Sequence, residues 1–320
     1  MGKTYEIIPI CEMQPGCNVE GFFILQKGTV KQSSNGSHFL SLRLSDRDGE
    51  IDGKIWDYAS DIHEHLGAVV KIRGSVQEYN GAKQLIVDRI RLAQAGDTYD
   101  LKDLVPSAPI NVPEVMGTIE DILNRICDDT YRNIALCAFG RMKAVLATLP
   151  AAISVHHAFI GGLLMHTYNI MQMCEATGRV YGDNLIDMDL LLTGAFCHDM
   201  GKRREFLLSK VGLVTEYSLP GQLMGHLVMG AQEIADIAKE LNIPEESEQV
   251  LLLQHLLLSH HGELEYGSPV VPKVIEAEIL SRMDMLDARI ENYREVMEAT
   301  DLGTMSEYVK YLGHTIYNHR

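Results

Sequence analysis

No uninterrupted apolar run in the 320 residues approaches the ~20 needed to span a bilayer, so no membrane partner is expected. Met1 to Cys11 has neither the basic start nor the apolar centre of a signal peptide, and a cytoplasmic protein is expected. Cysteine is sparse: six residues, at 11, 17, 127, 137, 174 and 197, include no CxxC pair. That excludes a disulfide scaffold and a thiolate zinc site, and the thiols read as reduced and mostly in the core. Positive charge is also short, with 28 Lys and Arg against 44 Asp and Glu and a net charge of −16. Such a balance argues against holding nucleic acid by bulk electrostatics.

The deficit is uneven. Asn18 to Ala93 holds ten Lys/Arg and ten Asp/Glu, which leaves 18 against 34 for the remainder. A neutral module therefore precedes an acidic body, and salt limits the reach of the body's repulsion to about 8–10 Å. Hydrophobic residues make up 46% and charged residues 22%, as in ordinary globular proteins, and the length suits two domains. There is no repeat and no low-complexity stretch.

After a lead-in broken by Pro9, Pro15 and Gly16, the neutral module reads as short strands between turn signals. Strands are expected at Gly21 to Gln32, His38 to Ser45, Glu50 to Asp57, Ala68 to Glu78 and Lys83 to Leu92. Asp46-Arg47-Asp48-Gly49 is a hairpin turn, and Tyr58 to Leu66 reads as a short helix. Five strands with one helix between the third and fourth is the order of an OB-fold barrel. Alternation puts Leu40, Leu42, Leu44, Ile51, Gly53 and Ile55 inside. It leaves Phe39, Arg43, Lys54 and Trp56 together outside, two rings and two cations suited to stacking bases and following phosphates. Packing under a loop or against the second domain is the alternative reading of the rings.

Gln94 to Pro113, with Pro106, Pro109 and Pro113, reads as a linker between a first domain at 1–93 and a second at 114–320. Helical spacing dominates the second at Glu114 to Ile126, Asp129 to Thr148, Val155 to Ala176, Met188 to Cys197, Gln222 to Asn242, Glu245 to Ser259 and Val274 to Met297. A small β excursion is expected at Leu207 to Tyr217.

On or at the ends of these helices stand His166, His198-Asp199, His226, His260-His261 and Asp284, separated by 32, 27, 34 and 23 residues. Each gap is about one helix plus a connection, so each helix can deliver a ligand to one centre. Imidazole with carboxylate and no paired thiolates suits divalent Mn, Fe, Co or Zn. A His-Asp pair alone would more often be a core histidine beside a cap; its company is what gives it meaning.

This order, an H, then HD followed by Gly201-Lys202, then H, HH and D, resembles the HD-domain metal-dependent phosphohydrolases with two metals, over Val155 to Met297. His156-His157-Ala158-Phe159-Ile160-Gly161-Gly162-Leu163-Leu164-Met165-His166-Thr167 and Ser259-His260-His261-Gly262 are similar to segments of the YhaM-type 3′-to-5′ exoribonucleases. Those proteins also carry an N-terminal OB-fold, which Phe39 to Asp57 resembles. The resemblance implies an α+β multidomain chain, an OB-fold barrel followed by an all-α HD bundle. It implies two divalent metals, manganese first, with His166, His198, Asp199 and Asp284 on one, and Asp199, His226 and His260 on the other. It favours His260 over His261 as ligand, leaving His261 as a further ligand or a phosphate contact. Lys202 would steady the phosphate or a bound hydroxide, or else be a solvated helix-end cation; His157 would lie on the substrate side or pack in the core. Single-stranded RNA, with single-stranded DNA as an alternative, is the implied substrate, and a homo-oligomer the implied assembly. Two other readings are a phosphohydrolase of nucleotides or cyclic dinucleotides with a regulatory barrel, and a non-catalytic nucleic-acid-binding protein.

Overall fold

The computed structural model describes residues 5–33, 36–152, 159–182, 184–209, 212 and 214–320. The chain divides into two compact units. The first runs to Ser107 and also takes Leu208–Thr215; the second takes Ala108–Leu207 and Glu216–Arg320.

In the first unit, β1 (Asn18–Gln32), β2 (His38–Asp46), β3 (Gly49–Ile55), β4 (Val69–Tyr79) and β5 (Ala82–Leu92) close into a barrel in the order β1-β2-β3-β5-β4. The β3–β5 pair is parallel and the other pairs are antiparallel. Strand alternation holds through β2 and β3: Leu40, Leu42, Leu44, Ile51 and Ile55 are buried in the barrel core, each such side chain contributing about 1.5–3 kcal/mol of transfer free energy. The helix expected over Tyr58 to Leu66 is a single 3-10 turn, Ile62–Glu64. Its initiating Asp61 makes no side-chain cap, and the segment is too short to offset the cost of helix nucleation.

The stretch read as a linker is structured up to Leu104 and Val105, which are buried. Asp97 accepts two hydrogen bonds from Arg91, at 2.6 and 2.7 Å, and one from the Gln94 N–H at 2.7 Å. Tyr99 packs on Phe22 with ring centroids 4.8 Å apart.

The second unit is a bundle of α1 (Val112–Asn124), α2 (Asp129–Leu146), α3 (Gly162–Tyr181), α4 (Met188–Cys197), the short α5 (Lys202–Glu205), α6 (Leu219–Glu240), α7 (Glu248–Ser259) and α8 (Ile275–Glu298). Strands β6 (Phe206–Leu208) and β7 (Val214–Tyr217) form the expected small sheet. Asp128, Asp187 and Ser218 cap α2, α4 and α6 by accepting from N–H groups of the first turn. α4 is buried along nearly its whole length, the mark of a central helix.

Helix α3 begins at Gly162, with Phe159 to Gly161 before it outside the helix; the expected start at Val155 lies outside the described residues. The apolar pattern runs unbroken through Phe159 and Ile160, but Gly161 sits at φ +75°, and the Ile160 carbonyl accepts the Ala108 N–H at 2.8 Å. Both divert the chain from helical hydrogen bonding. Of the six thiols only Cys174 and Cys197 are buried, while Cys11 and Cys127 are exposed, so the expectation that most lie in the core does not hold. Cys174 rides on the inward face of α3 and Cys197 ends the buried α4; the other four stand on partly solvated elements. Among the described residues no helix is long and apolar enough to cross a membrane.

Candidate functional site

Each metal-ligand candidate rides on the buried face of its element. His166 continues the Leu163 and Ile170 face of α3. His198 follows the last residue of α4, and Asp199 stands in the turn beyond it. His260 caps the C-terminus of α7, with His261 next. Asp284 shares the inward side of α8 with Leu280 and Asp287, at the four- and three-residue spacings that put helix residues on one side. His226 depends on a break in α6: Gly225, at φ +72° and ψ +163°, interrupts the helical run. That conformation comes without steric penalty only for glycine, and it turns His226 inward.

These side chains converge. His166 Nε2 lies 3.2 Å from Asp284 Oδ1, 3.3 Å from His198 Nε2 and 3.5 Å from Asp199 Oδ2. On the other side of the same carboxylate, Asp199 Oδ1 is 3.4 Å from His226 Nε2 and 3.9 Å from His260 Nε2. Two groups of donors therefore flank Asp199: His166, His198 and Asp284, and His226, His260 and His261, each within 4.8 Å internally. His260 and His261 both belong to the second group. Asp199 Oδ1, His226 Nε2 and His260 Nε2 are buried without a hydrogen-bond partner among the described residues. Buried polar atoms normally find one, so three facing orphans with lone pairs fit a divalent cation, as does the imidazole-carboxylate donor set.

The imidazoles are aimed from behind. His198 Nδ1 faces the Ala195 carbonyl at 2.8 Å and His260 Nδ1 the Leu257 carbonyl at 2.8 Å. His166 Nδ1 faces Asp287 Oδ2 at 2.7 Å, and Asn169 Nδ2 donates to Asp287 Oδ1 at 2.9 Å. His226 Nδ1 faces both oxygens of Glu205 at 3.1 Å, and His261 Nδ1 faces the Tyr266 carbonyl at 3.0 Å. All these partners accept hydrogen bonds, so each Nδ1 carries the proton and each Nε2 turns to the centre, the usual arrangement behind a metal.

The charges are strongly coupled. Burial pushes the Asp199 carboxyl up, but Lys202, whose Nζ donates to Oδ2 at 2.7 Å, and His198 hold it well below the usual range. The Lys202 ammonium is in turn held above its ordinary value by Asp199 in spite of burial. Burial works against a proton on His166, yet the Asp284 and Asp287 carboxylates raise it to about 9. Burial and the neighbouring His261 and His198 push His260 well down, and burial and His226 lower His261.

On the barrel, Phe39 and Trp56 lie with ring centroids 5.2 Å apart, and Lys54 Nζ sits 5.9 and 5.7 Å from them. Trp56 is 49% exposed. Arg43 shares this face, but its guanidinium is paired with Asp52 at 2.8 Å and Glu50 at 3.6 Å. His157 falls outside the described residues.

Sequence reasoning missed Asp287, Glu205 and Tyr79. Asp287 had a signal, its three-residue spacing from Asp284 on a helix. Glu205 stands the same distance beyond Lys202, though only as one acid after three bases. Tyr79, whose ring lies 4.8 Å from Lys54 Nζ, ends β4, where no pairing with Lys54 is readable.

The OB-fold nucleic acid binding domain family matches residues 25–93, and the HD domain family matches residues 163–289. The 3′-5′ exoribonuclease YhaM of Listeria welshimeri serovar 6b is 34% identical over 302 residues, 94% of this chain and 94% of that protein. Its namesake from Listeria innocua serovar 6a matches to the same extent. A solved HD domain of the phosphodiesterase PgpH from L. monocytogenes covers 49% of this chain and 78% of that chain, at 16% identity and a TM-score of 0.30. With that identity along nearly the whole chain, and with barrel and bundle each matched by its own domain family, the chain belongs to the YhaM family of 3′-5′ exoribonucleases.

Proposed function

We propose that the protein is a metal-dependent 3′-to-5′ exoribonuclease that hydrolyses single-stranded RNA, and single-stranded DNA as a second substrate, to nucleoside monophosphates. The observation that carries the chemistry is the set of buried, unpartnered donor atoms on Asp199, His226 and His260. His166, His198, Asp284 and Asp199 would hold one divalent ion; Asp199, His226 and His260, joined by His261, would hold a second. Manganese is the ion we assign first, since mixed imidazole and carboxylate donors serve it together with cobalt, iron and zinc. Bound ions of this kind lower the pKa of water and polarise phosphoryl oxygens.

The chain's own residues supply the rest. Asp199 presents one oxygen to each ligand group, which the distances to His166 and His226 support. Lys202 keeps a positive charge beside Asp199 Oδ2, where it favours an anionic phosphate. The barrel face provides affinity that the acidic body does not: Phe39 and Trp56 offer ring faces for bases, and Lys54 a cation for phosphates, with Arg43 beside them.

The test is incubation of 5′-labelled single-stranded RNA with the manganese-loaded protein, beside a panel of mononucleotides and cyclic dinucleotides. A ladder shortening from the 3′ end, abolished by chelator, is the expected result. Turnover of the nucleotide panel alone, or retardation of RNA without cleavage, would overturn the proposal.

A further inference from the structure

We propose that Glu205 is a positioning residue for the His226 side of the centre and that it decides whether the second metal binds; the inference rests on the two-metal reading above. Its carboxylate is buried, and Oε1 accepts the His226 backbone N–H at 3.0 Å while both oxygens lie 3.1 Å from His226 Nδ1. One side chain thus holds both the ring and the backbone of the same ligand.

The need for it follows from the break at Gly225. In a continuous helix the His226 N–H would bond to the carbonyl four residues back. At φ +72° and ψ +163° the Gly225 backbone forfeits that bond, and Glu205 satisfies the donor instead. A carboxylate at the start of the helical run 226–240 is also favoured by the helix dipole. Glu205 is itself fixed by its main chain: its carbonyl accepts the Ser218 N–H at 2.8 Å, and its N–H donates to Gly201 O at 3.1 Å.

His198 and His260 do not share this dependence, whereas the His166 ring leans on Asp287 of α8. His198 and His260 are oriented by carbonyls three residues back on their own helices, so they keep their orientation as long as those helices form. His226 is held at both its ring and its backbone N–H by one carboxylate from another element. Because that carboxylate accepts a hydrogen bond from Nδ1–H, the unpartnered Nε2 is left with its lone pair toward Asp199 Oδ1. Replacing the carboxylate with an amide allows the amide N–H to face Nδ1, and the ring can then carry its proton on Nε2, where it cannot ligate.

The experiment is manganese titration of the full chain by calorimetry, with metal content after dialysis as an independent readout. Wild type is expected to hold two equivalents. Glu205→Gln is expected to keep one and to bind the other about 10–100-fold more weakly, with Glu205→Asp in between. In a His226→Ala background, Glu205→Gln should add nothing, since both changes act on one ligand. Two wild-type-like equivalents in Glu205→Gln, or a further loss in the His226→Ala background, would overturn the inference. A single equivalent in wild type would overturn the two-metal reading instead. Melting of the metal-free variants accompanies the titration, and if Glu205→Gln does not fold, Glu205→Asp carries the same comparison.

Discussion

Asp199 is 2% exposed and Trp56 is 49% exposed, and that contrast runs through everything the two sites can do. Around Asp199, imidazoles and carboxylates from five helices or helix ends are held in dry surroundings, where unbalanced charge is costly and each ring has an acceptor behind it. Around Trp56, two rings and a lysine lie on an open barrel face in water, where no single contact is worth much and binding depends on several weak ones. A buried centre commits to one geometry before substrate arrives. An open face of rings and a cation tolerates many sequences, because every base has a face to stack. The charge distribution follows the same division: the acidic body holds the histidine-aspartate centre, and the neutral barrel carries no excess charge to repel a polyanion.

The largest expected effect comes from the buried side. Asp199→Asn removes a carboxylate that presents one oxygen to each group of donors. Loss of that charge should lower turnover by about 10³-fold, the equivalent of several kcal/mol of transition-state stabilisation, equally on a long oligonucleotide and on a dinucleotide, as measured by initial rates. Unequal loss would mean that the two sites are not independent.

A second test sharpens the electrostatic half of the contrast. In the metal-free protein, His166 is held protonated up to about 9 by Asp284 and Asp287. The raised value contributes stability that is fully present below the ordinary histidine pKa of about 6.5 and is lost as pH rises through about 9. A metal on Nε2 must displace that proton. Manganese affinity should therefore rise between pH 6.5 and 9 with release of about one proton from His166, read by calorimetry in buffers of differing ionisation enthalpy. Affinity independent of pH across that window would contradict the placement of His166.

On the open side the effects are smaller. Trp56→Ala should weaken binding of a long single strand by about 1–3 kcal/mol, measured by fluorescence anisotropy with the catalytic centre left metal-free. Lys54→Gln should weaken it less, and uniformly across sequences, while flattening the dependence of log Kd on log salt by about 0.7 for one lost phosphate contact on a single strand. An unchanged salt slope would mean that Lys54 serves its neighbouring rings and not the phosphates.

How legible each site was in the sequence also follows from burial. Helix α4 was readable to the residue because an apolar run closed by a capping Asp and a His-Asp pair leaves few alternatives. The ligands could be ordered because helix-sized gaps separate them, and the barrel face could be read because strand alternation has a period of two. What stayed hidden acts through another residue. Asp287 and Glu205 bond to histidine rings of the site from 121 and 21 residues away; helical spacing puts Asp287 on the side of Asp284, but no local pattern names the ring that either carboxylate holds. The break at Gly225 was equally silent, since the apolar spacing of α6 continues past it and one glycine in a helix is ordinarily tolerated. The expected helix at Tyr58 to Leu66 failed for the opposite reason: its local pattern was adequate, but it lacked the cap and the length to stand.

The division of labour between the two sites is tested most directly by substituting Phe39, Lys54 and Trp56 together with alanine and comparing hydrolysis of a long single-stranded RNA with that of a dinucleotide. The expected result is a large rise in KM on the long substrate with the dinucleotide rate unchanged. Equal loss on both substrates would contradict the assignment of grip to the barrel and chemistry to the histidine-aspartate centre.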